Sequence, residues 1–191
     1  MADKYHHENL RQELIDTGIR IINEVGEENL SLRGVASACN VSHSAPYAHF
    51  KDKEELLDAI KTSVTERFTE ELKTACEGAA NADEGLIAMG KAYIAFFHRN
   101  PDYYAFLFSK QKIVAHLQPD KKHVDDYPPF LLFKELYKKH LKENNIKKSK
   151  KEQEIDLIKI WGIVHGMASL ACMKGVDTSI DWEDPSNTLV I

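Results

Sequence analysis

SLRGVASACNVSHSAPYAHF, residues 31–50, is the stretch on which the reading of the whole chain turns. Ser31 precedes one short run of good helix positions and Ser42 precedes another, so each serine is placed to cap a helix. Between the runs stands Cys39-Asn40-Val41. Asn40 falls where a left-handed residue would reverse the chain, a conformation Asn tolerates better than most residues other than Gly. Val35, Ala36, Val41 and Phe50 are spaced to pack the two helices against a third. Ser42, His43, Ser44, Tyr47 and His49 are left without a core role and face outward. This is the pattern of a helix-turn-helix, which offers its second helix to the DNA major groove.

Upstream, Glu8 to Val25 carries Leu10, Leu14, Gly18, Ile21/Ile22 and Val25 at helical spacing, and Gly26 ends the run as a C-terminal cap would. His6-His7 resembles a metal pair, but adjacent helix residues point about 100° apart and do not converge on one ion. A frayed polar N-terminus is the better reading. Downstream, Asp52 with Glu55 three residues later is a capping-box-like start. Leu56/Leu57, Ile60, Val64, Phe68 and Leu72 follow at spacings of three and four, which predicts a helix of about seven turns ending near Gly78. The expected division is residues 1–52 as a helix-turn-helix DNA-binding domain and 53–191 as a C-terminal domain. No linker rich in Gly, Pro or Ser separates them.

The rest of the chain continues in helices. Asn81 to Glu84 opens one with Leu86, Met89, Tyr93, Phe96 and Phe97 on one side; Asn100-Pro101 stops it and starts the next, with Pro at the first helical position. Residues 111–127 are less regular and are expected to hold a short helix and a loop. Pro128-Pro129 opens a helix with Phe130, Phe133, Leu136/Tyr137 and Leu141. The lysines from Lys138 to Lys151 surround Asn144-Asn145 and alternate with Glu143, Glu152 and Glu154, the pattern of a solvated loop. A last helix is predicted over Lys150–Lys174. Ile155, Ile158, Trp161, His165, Ala168/Ser169 and Cys172 form one apolar face; Leu157, Ile160, Val164, Met167 and Ala171 form another. One face is expected to pack within the domain and the other against a second subunit. Gly162 and Gly166, four apart, allow a close helix approach.

Composition agrees with an all-α soluble protein: 43% hydrophobic, 29% charged, and only 9 Gly and 6 Pro in 191 residues. The three Cys, at 39, 76 and 172, form no CxxC and suit a reducing cytoplasm. The N-terminus has no apolar signal region, and the most apolar run, Leu157–Met173, is interrupted by Lys159 and His165. No membrane association is therefore expected. The net charge is −5, and residues 1–55 have six Lys/Arg against ten Asp/Glu, or −4. Leu30–Lys51, however, contains Arg33, Lys51, two histidines and no acid. Electrostatic attraction to DNA is thus expected to be modest and centred on few residues. Neither a Gly-rich phosphate loop, an HExxH nor a nucleophile with an assigned base is present, so no enzyme, cofactor or metal site is expected. The alternative function is a helical ligand-binding or interaction protein with weak or no DNA binding, favoured only by the negative N-terminal charge.

Leu32-Arg33-x-Val35-Ala36, Asn40-Val41-Ser42, Tyr47-x-His49-Phe50 and Lys53-Glu54-x-Leu56-Leu57, in that order, resemble the tetracycline-repressor (TetR) family of bacterial transcriptional regulators. Trp161, His165 and Gly166, with Asn100-Pro101-x-Tyr103-Tyr104, resemble a subgroup named for a W-H-G signature. The resemblance implies a homodimer, an N-terminal three-helix bundle that binds a palindromic double-stranded operator, and a C-terminal bundle with a ligand cavity joined to it by a long helix. The chain departs from the family in Asn40, where Gly is usual, in Pro46, where Leu is usual, and in a short C-terminal stretch from Trp182 to Ile191.

Ser42, His43 and Ser44, at the start of the recognition helix, are candidates for base edges or phosphates. By the family's pattern Tyr47, His49 and Lys53 contact phosphates, with Ser31 and Arg33 as further candidates; a structural hydrogen bond is the rival role for His49. The candidate ligand-binding residues on the helices after residue 81 are Tyr93, Phe96, Phe97, Tyr103 and Tyr104. Phe133, Trp161 and His165 complete the set. Most of these aromatics are expected to be core, and a satisfied structural histidine is the rival role for His165. The expected effector is an apolar or aromatic small molecule.

Overall fold

A computed structural model of the chain describes residues 2–108, 113–120, 123 and 126–184, with the backbone alone for residues 2–9. Among the described residues every regular element is helical. They form two compact units, residues 1–66 and 67–191. The first unit thus extends past residue 52 and takes in the start of the long helix, because Leu56, Leu57 and Ile60 are buried there.

The first unit holds α1 (Ala2–Val25), α2 (Leu32–Ala38) and the beginning of α3 (Lys53–Glu77). The backbone of His6-His7 lies inside α1 rather than in a frayed end. Gly26 closes α1 with φ +86°, and its N–H bonds to Ile22 O at 2.9 Å. Helices α1 and α3 approach closely at Gly18: a Cβ there would stand 2.7 Å from Ile60 Cδ1. Leu14, Ile15, Ile22, Leu30, Val35 and Phe50 fill the core between the elements. Arg11 lies over the Phe50 ring, 5.2 Å from its centroid, at cation–π distance.

Ser31 caps α2 by accepting a hydrogen bond from Gly34 N at 3.0 Å. The helix ends in a Schellman motif. Asn40 has φ +55°, Asn40 N bonds to Ser37 O, and Val41 N bonds back to Ala36 O at 3.0 Å. The second helix of the motif differs from expectation. It is one 3₁₀ turn, Ala45–Ala48, and Ser42 does not cap it by its side chain; Ser44 occupies the cap position, also without a side-chain bond to the turn's backbone. The cause is local. Pro46 has no N–H, and Ala45 N to Ser42 O, Tyr47 N to Ser44 O and His49 N to Pro46 O each span three residues; the one four-residue bond, Phe50 N to Pro46 O, closes the turn.

In the second unit, α4 (Ala82–Arg99) is central. It packs on α5 (Pro101–Phe108), α6 (Pro128–Glu143) and α7 (Lys150–Cys172). Asn81 caps α4 through Glu84 N, and Ser149 with Glu152 forms a full capping box on α7. Helix α6 closes as α2 does, with Asn145 at φ +53° and Ile146 N bonded to Leu141 O. Phe68 of α3 anchors the aromatic core, its ring 4.7 Å from both Phe96 and Phe97.

The described residues between α5 and α6 hold no short helix; side-chain bonds to backbone and a buried ion pair fix that segment to α6 instead. Asp126 Oδ1 accepts from His116 N at 3.0 Å and His116 Nδ1 at 2.7 Å, and Oδ2 accepts from His123 N at 3.0 Å. Lys134 Nζ donates to His116 O at 2.9 Å and lies 3.5 Å from Asp126 Oδ2. Burial works to raise the Asp126 pKa; the amides, the imidazole and Lys134 outweigh it and hold the carboxyl well below its ordinary range.

Helix α7 is divided differently from the two faces expected. It buries Leu157, Val164 and Ala168, with Trp161 and His165 half-buried beside them. Ile155 and Ile158 do not join Trp161 inside. They are exposed, and with Ile163, Leu170 and Met173 they make a free apolar stripe. Gly162 and Gly166 open on the same side: a Cβ at either meets nothing within 4 Å.

Candidate nucleic-acid interface and ligand cavity

The outward side of the helix-turn-helix carries side chains that are already held in place. His43 Nε2 lies 3.1 Å from Ser37 Oγ, so α2 fixes the imidazole. The Ser42 and Ser44 hydroxyls bond each other at 3.0 Å. Tyr47 projects from the 3₁₀ turn, 53% exposed. Arg33, Ser42, His43 and Ser44 are exposed too, while His49 is half-buried beside Phe50. A surface whose polar groups are ordered before contact loses less entropy on binding.

Lys53 has a role that residue type did not reveal. Its ammonium donates to Glu27 O at 3.0 Å and Glu28 O at 3.2 Å, closing the 3₁₀ turn Glu27–Asn29 onto the start of α3. Two of its three donors are thereby committed, leaving one to point outward. Ser31 likewise spends its oxygen on the α2 cap. Ser37 was not singled out in the sequence, since nothing local marks a serine six residues before a histidine as its partner.

Three helices of the second unit bound a partly open cavity of about 40 Å³. Leu86, Met89, Gly90 and Tyr93 of α4 form one wall. Pro129, Phe130 and Phe133 of α6, with Tyr127 before it, form a second, and Ile160, Trp161 and Val164 of α7 a third. Of the expected ligand residues, Tyr93, Phe133 and Trp161 reach this cavity. Phe96, Phe97 and Tyr103 pack elsewhere: Phe96 and Phe97 against Phe68, and Tyr103 with its ring 6.0 Å from that of Phe96. Phe130, Tyr127 and the aliphatic walls are additions, set by how three helices meet rather than by any motif.

His165 and Tyr104 stand behind the wall, in a hydrogen-bonded chain. Tyr93 Oη is 2.9 Å from His165 Nδ1, and Tyr104 Oη is 2.9 Å from Nε2. Burial lowers the His165 pKa, keeping the ring neutral, and raises that of Tyr93 well above its usual value. A neutral imidazole has one donor and one acceptor, so one tyrosine donates to it and the other accepts. The chain closes when Tyr93 donates to Nδ1, Nε2–H donates to Tyr104, and Tyr104 donates to His165 O at 3.4 Å. His165 is thus fully satisfied. Among the described residues no group of three His, Cys, Asp or Glu is arranged to hold a metal ion.

Residues 14–60 match the profile of the bacterial regulatory proteins of the tetR family, and residues 86–189 match the tetracyclin repressor-like C-terminal domain. A nicotine-responsive transcriptional repressor, HdnoR of Paenarthrobacter nicotinovorans, is 33% identical over 69 residues, 36% of each chain. The class D tetracycline repressor protein of Escherichia coli is 27% identical over 127 residues, 64% of this chain and 52% of that protein. The chain therefore spans about a third to a half of the length of these curated relatives. In fold it is similar to a regulatory protein of the tetR family from Rhodococcus RHA1, with TM-score 0.64 at 14% identity, covering 91% of this chain and 88% of the other. With a helix-turn-helix at one end and more than half its length in the matching C-terminal domain, the chain belongs to the TetR family of bacterial regulatory proteins.

Proposed function

We propose that the chain is a cytoplasmic, ligand-responsive transcriptional repressor that binds a palindromic operator as a homodimer. The observation that carries this reading is the acid-free turn from Ser42 to Tyr47, which exposes Ser42, His43, Ser44 and Tyr47 and holds the first three ready through Ser37 and one another, in a member of this family. His43, with Ser42 and Ser44, reads base edges; Tyr47, Lys53, His49 and Arg33 meet phosphates. The two copies join through the free face of α7. That helix is long and apolar enough to cross a membrane, yet Lys159 stands on the same face as Ile155 and Gly162. A subunit contact can give a lysine there a polar partner or water, which lipid cannot.

Repression follows from occupying the operator. Release follows when a small molecule in the C-terminal cavity favours a conformation in which the recognition turns no longer match successive major grooves, roughly 34–36 Å or a multiple apart. The test is fluorescence anisotropy with DNA from upstream of the chain's own gene. Wild type binds specifically at low salt, and His43→Ala reorders its preference among operator variants. Absence of binding to any DNA by folded, dimeric protein sinks the reading.

A further inference from the structure

The cavity wall contains no charged residue: it is built of apolar and aromatic side chains and the bodies of two tyrosines. His165, behind the wall, has both nitrogens engaged by tyrosine hydroxyls, and burial keeps it neutral at pH 7. The buried charges on the α6 side are engaged too. Lys134 sits 5.4 Å from the Phe130 ring centroid but donates to His116 O and faces Asp126, whose oxygens take His116 and His123. An ionised ligand entering here loses its water and meets no counter-charge, which is strongly unfavourable. Size sets a second condition. At about 40 Å³ the cavity is well below the roughly 150 Å³ that holds benzene in an engineered protein. A ring must therefore part the walls, and Leu86, Ile160 and Trp161 are only half-buried and free to give. A ligand that needs the parted state binds it better than the closed one, the differential affinity a switch requires.

We propose that this cavity takes an uncharged, ring-sized, hydrocarbon-like effector and rejects ionised molecules of the same size. The inference rests on the reading of the chain as ligand-responsive and names the chemical class of its effector.

Toluene, benzoate and benzylammonium share one ring and differ in charge. Each is titrated into the full-length dimer with Trp182→Phe, leaving Trp161 as the fluorescent reporter. Toluene is expected to saturate the signal, with the two ions at least about tenfold weaker. Leu86→Phe, which fills the cavity, is expected to weaken toluene at least tenfold. Should that variant not fold, nuclear Overhauser contacts between the toluene methyl and the Trp161 indole locate the ligand in the unfilled protein. Either ion binding within tenfold of toluene, no toluene binding up to its solubility, or toluene bound away from Trp161 overturns the proposal. Operator affinity is read separately. Toluene bound with operator affinity unchanged leaves the class intact and removes the ligand response; release by a charged ligand with toluene inert does the opposite.

Discussion

Asp126 holds a full charge where solvent does not reach it, and its surroundings explain why it stays ionised. Two backbone amides, one imidazole and one ammonium converge on two oxygens. Its folded pKa lies below the unfolded value of about 3.9. The carboxylate therefore contributes its full stability above that value and loses it as pH falls toward the folded pKa. Asp126→Asn is expected to lower stability by about 2–3 kcal/mol at neutral pH, because Lys134 keeps a buried charge and loses its counter-charge. Urea titrations of both proteins at pH 7, 5 and 3 check this: the gap between them narrows at the acid end. A constant gap rejects the linkage. Lys53 poses a sharper question, since it closes a turn and is also proposed as a phosphate contact. Lys53→Ala is expected to cost about 1 kcal/mol through the bonds to Glu27 O and Glu28 O. It is also expected to reduce the salt slope of operator binding by about one counterion. Stability lost with an unchanged slope makes Lys53 a structural residue only. At this scale the sequence marked residue types well and partners poorly. That Lys53 is a candidate phosphate contact follows from its motif; that its ammonium reaches carbonyls some 25 residues away depends on how α1 meets α3.

Elements were more legible, because their signals are local. The Ser31 cap, the left-handed Asn40, the Asn81 cap and the break at Asn144-Asn145 all depend on neighbours within about five residues, and all stand in the structure. The recognition element was misread for an equally local reason. Pro46, where Leu is usual in the family, has no N–H, and with three-residue bonds from Ala45, Tyr47 and His49 around it the segment is one 3₁₀ turn in place of the helix that Ser42 is placed to cap. Which face of α7 turns inward was not legible either, since both sides of that helix are apolar and only packing against α4 and α5 chooses between them. The Schellman turn after α2 gives a clean element-scale test. Asn40→Ala places a Cβ without a polar side chain in the left-handed region and is expected to cost about 1 kcal/mol, whereas Asn40→Gly is expected to be neutral or stabilising. Thermal unfolding of the two variants against wild type separates them. Equal midpoints for Ala and Gly show that the reversal does not depend on the residue's conformational freedom.

At the scale of the whole molecule, the exposed stripe on α7 is the feature that a single chain leaves unexplained. Ile158, Ile163 and Leu170 are each between 46% and 48% exposed, on one side of a helix whose other side lies in the core. Apolar side chains gathered on one helix face mark a contact surface more often than a solvated one. The two glycines within the stripe have open space where a side chain would stand, so a partner helix reaches the backbone there. If a second copy covers this face, Ile163→Glu is expected to convert the dimer to a monomer, because the contact would bury a carboxylate beside its symmetry mate without a counter-charge. The helix itself is expected to stay folded, since Ile163 takes no part in the core formed by Leu157, Val164 and Ala168. Sedimentation velocity reads the change in mass, and circular dichroism checks the fold. Operator affinity then falls at least tenfold, because a monomer holds one half-site where a dimer holds two and loses the gain in effective concentration. A variant that remains dimeric and keeps its operator affinity places the subunit contact elsewhere. A variant that becomes monomeric with undiminished affinity shows instead that one recognition turn suffices for binding.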